Sequence, residues 1–544
     1  MINSAILAMT EQHRAKLDVL CEQVLSNRNL IIVSNRGPVE YTRNSRGELE
    51  GHRGPGGVVT AMSAVSRYAN PLWVAAAMTD GDREIAKSDE PVQWAWGDYQ
   101  FRLRFAVSEP EVYRQYYSVI SNPLLWFLQH YMWDAARTPN ITEETRRAWK
   151  SYEAVNSAFA EIVLDEVSRS TKPSIILLQD YQLYLVGEML RPQLPRETIL
   201  THFIHIPVPG PDYWALLPQN MRRQIAHSLC CCDIVGFHTR LYQRNFLRVC
   251  QEFLEDCTVD MKAGTVTIGD HAMQTAVYPI SIDVEGVLNL AESDEVRNYR
   301  QRLRAFTGDQ TIVRIDRVEP SKNIVRGFSA FEALLEKYPD YRGRVKFLAF
   351  LVPSRLGVEE YKRYLEEIMV AVGWINTKYG DNEWQPVELF VGDHYARAIA
   401  AMQISDVLLV NPIIDGMNLV AKEGATVSQN NSALILSERT GAVEQLAEGA
   451  LVVSPTDIVG TMETLHQALQ MPLEERQRRA EWLRHSVARE DITMWLYYQL
   501  FDIQKLVQED VTPGTIKGST GDLSGEHSAK REMDNKQLEL AAAE

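Results

Sequence analysis

The sequence predicts an α/β protein of two sizeable domains. Three observations carry that expectation. Apolar runs rich in β-branched residues, of the kind that form buried parallel strands, recur along the chain, as in LIIVS from Leu30 and DVLLVNPII from Asp406. The clearest of these runs pass through loops of Gly, Asn, Asp or Pro into helix-like segments, so that strand, loop and helix repeat. The length, 544 residues, is enough for two domains with their own cores.

Residues 1–28 read as an amphipathic helix packed on the first domain, with Leu7, Leu17, Leu20 and Val24 spaced for one face. NLIIVSNRGPVEY opens the fold with a strand from Leu30 to Ser34. Arg36 follows its carboxyl end, the side on which α/β folds bind ligands. A polar loop is expected from Tyr41 to His52. Gly54, Gly56 and Gly57 then precede a helix, where backbone N–H groups can cradle a phosphate or simply form a turn. The aromatic stretch from Gln115 to Tyr131 reads mostly as core. A helix from Glu143 to Ser168 leads to PSIILLQDYQL, a strand ending in Gln179, Asp180 and Tyr181. TILTHFIHIPVPG carries His205 just past its strand, and AVYPISIDVEG closes the first half near Asp283.

The second half opens with TIVRIDRVEPSKNIVRGF, again strand, loop and helix. Arg317 and Lys322 lie close enough across this loop to grip one diphosphate from two sides, the arginine as a planar fork and the lysine as a point charge. VKFLAFLVPSR is a strand leading to Ser354 and Arg355. DVLLVNPII then feeds DGMNLVAKE, Asp415 to Glu423. Gly416 lets backbone approach a ligand closely. Asp415 and Asn418 offer atoms suited to sugar hydroxyls, and the N–H groups opening the helix suit an anion. Glu423, a turn and a half further on, can accept both hydroxyls of a ribose. The plain alternative is an ordinary strand-to-helix turn with Asn418 as N-cap. SALILSERTGAVEQL adds a strand and a helix, and a last helix is expected around Met494 to Val507. From Asp510 onward Gly, Ser, Thr and charged residues dominate, and a disordered tail is expected.

Composition narrows the function classes. A net charge of −16 argues against nucleic acid or an anionic membrane as partner, while leaving room for an anionic small substrate where basic residues converge. No apolar run approaches the roughly 20 residues of a membrane span. No basic stretch followed by an apolar one opens the chain, so export is not expected. Cys230, Cys231 and Cys232 adjoin without a CxxC or CxxH pattern, and buried free thiols in a reducing cytoplasm are expected.

DGMNLVAKE resembles the donor-site motif of the trehalose-6-phosphate synthase family, retaining glycosyltransferases of the GT-B architecture. Other segments resemble that family in order from about Asn29 to Gln508: SNR with its glycine loop, QDYQL against HDYHL, HIPVP against HIPFP, and RVEPSKN against RLDYSKG. The resemblance implies two Rossmann-like domains facing each other across a cleft. The acceptor domain would span 29–283 and the nucleotide-sugar donor domain 284–490. The N-terminal helix (1–28) would precede them, a helix over 491–509 would cross back to the first domain, and the tail (510–544) would follow.

The same resemblance implies the site. Asp415 would contact the donor glucose, with His205 near that hexose. Gly57, Arg317, Lys322 and the backbone from Gly416 through Met417, Asn418, Leu419 and Val420 would hold the diphosphate, and Glu423 the ribose. Arg36, Tyr117, Trp126 and Arg355 would hold the acceptor phosphate, and Asp180 would face the acceptor sugar. Asp180, His205, Arg317, Lys322 and Asp415 form the expected catalytic set. The chain departs from the family's pattern at Gln179 and Gln182, beside the expected acceptor sugar, at Ser281 in the expected interdomain hinge, and at Glu319, Pro320 and Asn323 in the Arg317 loop.

The implied reaction is transfer of glucose, with retention, from a nucleotide-diphosphate glucose to glucose 6-phosphate, giving trehalose 6-phosphate. The departing diphosphate would take the acceptor proton, and no metal or other cofactor is called for. The expected partners are these two substrates, with neither nucleic acid nor membrane, and homo-oligomerisation is compatible with the sequence. Two other readings stand beside it: a relative using glycerol 3-phosphate or a pseudo-sugar phosphate as acceptor, and a silent sugar-phosphate sensor. Fewer than forty residues follow Gln508, so no fused phosphatase is expected.

Overall fold

The computed structural model describes residues 2–53, 62, 70–88, 90–96, 99–355 and 357–511. Gly57 and residues 512–544 of the expected tail (510–544) lie outside the described residues, while residues 510 and 511 end the last helix. The chain divides into two compact units. One comprises Lys16–Tyr278 with the chain from Leu496, the other Pro279–Trp495 with Met1–Ala15.

The N-terminal unit is built on a ten-stranded sheet and a separate hairpin. In chain order its strands are β1 (Asn29–Val33), β2 (Val39–Arg43), β3 (Leu49–Arg53), β4 (Leu72–Ala76), β5 (Val92–Trp96) and β6 (Tyr99–Ala106). There follow β7 (Ser174–Gln179), β8 (Ile199–Phe203), β9 (Ile234–Phe237), β10 (Cys257–Asp260), β11 (Thr265–Ile268) and β12 (His271–Val277). The sheet runs β10-β11-β12-β9-β8-β7-β1-β4-β6-β5, parallel from β12 to β6 and antiparallel at both edges. β4, β7 and β8 are buried at every residue, as parallel strands covered on both faces must be.

The stretch expected as a polar loop from Tyr41 to His52 is instead the β2–β3 hairpin. Its turn is made by Asn44, whose side-chain oxygen accepts from the N–H groups of Arg46 and Glu48, and by Gly47 at φ +80°. Polar composition hid it, because a short exposed hairpin lacks the apolar alternation of a half-buried strand.

The C-terminal unit holds a six-stranded parallel sheet: β13 (Gln310–Arg317), β14 (Val345–Val352), β15 (Val387–Val391), β16 (Val407–Val410), β17 (Ala433–Ser437) and β18 (Leu451–Val453). The order is β15-β14-β13-β16-β17-β18. Ile312, Phe347, Leu409 and Ile435 from its strands pack with Phe328, Phe331 and Leu334 of helix Ile324–Lys337. Chain order passes from β14 and β15 on one side of β13 to β16 and β17 on the other. The loops after β13 and β16 are therefore neighbours at the carboxyl edge, the switch point where open α/β sheets bind ligands.

The first helix, Ile2–Leu25, buries Leu17, Leu20 and Val24. It was expected on the first domain, but residues up to Ala15 group with the C-terminal unit, where His13 lies 3.3 Å from Asp491 and Arg14 pairs with Glu285. Apolar spacing alone does not register these polar partners. The last helix, Ile492–Val511, belongs to the N-terminal unit from Leu496 onward, and its Asp502 accepts from the Tyr278 hydroxyl at 2.8 Å. Cys230 and Cys232 are buried thiols, whereas Cys231 is half-buried beside His227. Among the described residues no helix is long and apolar enough to cross a membrane.

Candidate functional site

In the C-terminal unit the expected residues converge on the loops after β13, β14 and β16. Lys322 pairs with Asp415, and Asn418 donates to the same carboxylate oxygen at 3.0 Å. Asn418 also accepts from the N–H of Ala421 at 3.2 Å and sits at φ +72°. It is therefore the N-cap of helix Leu419–Val427 as well as a partner of Asp415. The backbone of Leu419 and Val420 opens that helix, with its first N–H groups at the end that favours anions.

A second turn fixes the path of the Asp415 loop. Asp415 donates through its N–H to Arg439 O, Gly441 donates to Asp415 O at 3.1 Å, and Ala442 donates to Met417 O at 2.9 Å. A Cβ on Gly441 would stand 2.0 Å from Gly416 O, so only glycine lets the two turns touch. On the following helix, Glu423 accepts from the Tyr395 hydroxyl at 2.9 Å, and burial pushes its carboxyl above the usual range.

The Arg317–Lys322 loop is held from beneath by residues the sequence reading passed over. Arg314 is fully buried and donates to the carbonyls of Lys322 and Ile324, both at 3.1 Å, while its guanidinium holds Asp316 at 2.7 Å. Burial pushes the Asp316 carboxyl up, against the pull of Arg314 and Lys322. The signal was present: Arg314 and Asp316 alternate with Val313 and Ile315 in β13, so the two charges lie on one face and must be paired there. Asn323 takes φ +58°, the left-handed backbone that glycine takes without strain and asparagine tolerates. Its side chain donates to Asn411 O and Pro455 O, so the loop keeps a glycine-like path and gains two anchors. Lys422, also not singled out, is fully buried and donates to Ile280 O at 2.8 Å.

Arg355, expected with the acceptor residues, belongs to this unit. It lies three residues past β14 at φ +46° and shares a carboxylate with Arg317: Glu319 Oε1 accepts from both, each at 2.9 Å.

In the N-terminal unit Arg36, Asp180 and His205 follow the carboxyl ends of the adjacent strands β1, β7 and β8. Asp180 stands at φ +73°, ψ 176°, a region nearly reserved for glycine and costly for an aspartate. It is pinned there. Its N–H donates to Phe203 O at 2.7 Å, its carboxylate accepts from the N–H of His205 at 3.1 Å, and its carbonyl accepts from His202 Nε2 at 3.0 Å. His205 donates through Nε2 to Gln179 Oε1 at 2.9 Å, so the glutamine that departs from the family is a direct partner of the candidate histidine. Burial, then His238 and His202, hold His205 well below the usual imidazole range, and it is neutral near pH 7.

Tyr117 and Trp126 lie on Tyr116–Trp126, a widened helical segment. Pro123 supplies no N–H there, and Asn122 and Ser121 instead donate through their side chains to the carbonyls of Tyr117 and Tyr116, five residues back. Asn122 also accepts from the Tyr181 hydroxyl at 3.0 Å, and Trp126 packs on Tyr181 at 5.6 Å, which ties this segment to the Asp180 turn. Tyr117 stacks on Tyr113, whose hydroxyl bonds Asn35, the neighbour of Arg36. Arg36 is exposed and 3.5 Å from Glu40.

Two Rossmann-like units with cations and a helix N-terminus at a switch point have the make-up of a GT-B glycosyltransferase. Residues 28–505 match the profile of glycosyltransferase family 20, and the chain belongs to that family, the family of the trehalose-6-phosphate synthases. It is 32% identical over 471 residues to the alpha,alpha-trehalose-phosphate synthase (UDP-forming) A of Dictyostelium discoideum, over 86% of this chain and 61% of that protein. The chain thus spans about three fifths of that relative's length. Among solved structures, an E. coli protein with UDP-2-fluoro glucose bound aligns at TM-score 0.74 and 27% identity, covering 88% of this chain and 99% of the other. An alpha,alpha-trehalose-phosphate synthase (UDP-forming) from Burkholderia xenovorans, in complex with glucose-6-phosphate, aligns at TM-score 0.73 and 26% identity, covering 88% and 100%.

Proposed function

We propose that the chain transfers glucose from UDP-glucose to glucose 6-phosphate with retention of configuration, forming trehalose 6-phosphate. One observation supports this most: Lys322, Asp415, Asn418 and the helix opening at Leu419 converge at one switch point. That is a cation, a sugar-hydroxyl acceptor and an anion-facing helix end in one place. The names of several relatives specify UDP, which supports the nucleotide.

In this reading Arg317, Lys322 and the N–H groups of Leu419 and Val420 meet the charge that grows on the departing diphosphate. Asp415 takes donor glucose hydroxyls, and Glu423 the ribose, whose hydroxyls favour the ionised carboxylate that burial disfavours. His205, neutral, presents a hydrogen bond rather than a charge to the hexose. Arg36, Tyr117, Trp126 and Arg355 receive the acceptor phosphate, and Asp180 the acceptor sugar. The bond from C1 to the diphosphate breaks, the bond from C1 to the acceptor hydroxyl forms, and the hydroxyl proton leaves with the diphosphate. The protein's contribution is positioning and charge stabilisation.

The test is a product assay crossing UDP-, GDP- and ADP-glucose with glucose 6-phosphate, glucose, glycerol 3-phosphate and a cyclitol phosphate. Trehalose 6-phosphate from UDP-glucose, with little product on unphosphorylated glucose, is expected. Glucosylation of glycerol 3-phosphate or the cyclitol phosphate in its place would transfer the proposal to another acceptor.

A further inference from the structure

Glu319 is where one buried carboxylate meets two arginines. It is 0% exposed, and its Oε1 accepts from Nη1 of Arg317 and Nη1 of Arg355, each at 2.9 Å. The arginines reach it from neighbouring strands. Arg317 ends β13 opposite Val352 of β14, and Arg355 follows β14. Arg317 is 45% exposed and Arg355 11%. Arg355 is fixed further by Tyr361, to whose hydroxyl it donates at 2.8 Å and over whose ring its guanidinium lies at 5.5 Å.

Two physical facts bear on this arrangement. A guanidinium has five N–H donors in a rigid planar fork, so a carboxylate held by one Nη1 sets the direction in which the whole fork faces. A carboxylate buried this completely is costly without a cation, so it must keep at least one. The direction of either fork therefore depends on whether the other arginine shares the carboxylate.

We propose that Glu319 is a positioning residue that couples two anion sites. It orients Arg317 toward the donor diphosphate and Arg355 toward the acceptor phosphate, and this rests on the ligand assignments of the proposed function. If one arginine is removed, Glu319 draws the other in alone, and the ligand of the remaining arginine is held less well. The coupling runs both ways, as a binding free energy between sites must.

The test is calorimetric binding of UDP and of glucose 6-phosphate to the full chain, in the wild type, Arg317→Ala, Arg355→Ala, Glu319→Gln and the two double variants. Arg355→Ala is expected to weaken UDP binding about fivefold or more, and Arg317→Ala to weaken glucose 6-phosphate binding by a similar factor. In the Glu319→Gln background both cross-effects should shrink below about twofold, because the shared charge is gone. A residue that merely supports the fold would not make one arginine's loss appear at the other's ligand and then vanish with Glu319. Cross-effects that are absent, or that persist in full without the carboxylate, overturn the inference. Should Glu319→Gln not fold, the arginine single variants decide alone, since both keep Glu319. A wild type that binds neither ligand overturns the proposed function and this inference with it. A wild type that binds both, without cross-effects, overturns this inference only.

Discussion

Lys322 and Asp415 form a pair that is mostly shielded, their side chains 12% and 16% exposed. An ammonium held there is preorganised for charge that develops beside it, and such a stabiliser is worth most when it need not move. Lys322→Ala is therefore expected to lower kcat/KM for UDP-glucose by at least about 100-fold with the fold retained, as read from steady-state kinetics and circular dichroism. Near-normal turnover would remove Lys322 from the site. The two residues were legible in the sequence, in loops that follow strong apolar strands, but their pairing was not. The carboxylate shared by Arg317 and Arg355 was not legible either. In the sequence Glu319 stands only as a departure from the family's loop, and the β13–β14 register is what brings Arg355 near it. The backbone of Asp180 was equally hidden, since glycine announces a positive φ in sequence and aspartate does not.

Among elements, the contact of the Asp415 loop with the turn at Gly441 is the tightest constraint on the site. Gly441→Ala would drive a methyl group to 2.0 Å from Gly416 O and 3.1 Å from Met417 Cα, so the backbone must give way. Overpacking of this kind costs about 1–3 kcal/mol, and the displaced backbone includes the N–H groups proposed for the diphosphate. The KM for UDP-glucose should rise about tenfold or more while that for glucose 6-phosphate changes little. Equal effects on both would mean that the whole unit, rather than this loop, is disturbed. Parallel strands such as β7, β13 and β16 were readable as apolar runs because helices cover both faces of their sheets. The β2–β3 hairpin was not, because it lies outside those sheets and is stabilised by its own turn.

For the whole molecule, acid should act through a histidine. Burial holds His202 down at about 4, so between pH 6.5 and about 4 the unfolded chain takes up a proton that the folded protein refuses. Stability should fall across that window as pH drops, by about 3 kcal/mol for this one group. Thermal midpoints measured from pH 7 to pH 4 should decline less steeply in His202→Gln than in the wild type. Equal slopes would place the acid sensitivity elsewhere. His227 works in the opposite sense, because Cys231 and Glu188 raise it to about 10. Its contribution is present below pH 6.5 and lost as pH rises through 10, and solvent screens it because the ring is half exposed. The division into two α/β units followed from length and repeated strand–loop–helix units. The grouping of the first helix did not, since its first half packs with residues far along the chain, Glu285 and Asp491 among them. The central claim is glucosyl transfer with retention, and carbon-13 NMR of the reaction of UDP-glucose labelled at C1 with glucose 6-phosphate tests it most directly. The labelled carbon should appear in an α-configured linkage of α,α-trehalose 6-phosphate, with one UDP released per product. A β-linked product, or label found only in free glucose, would contradict it.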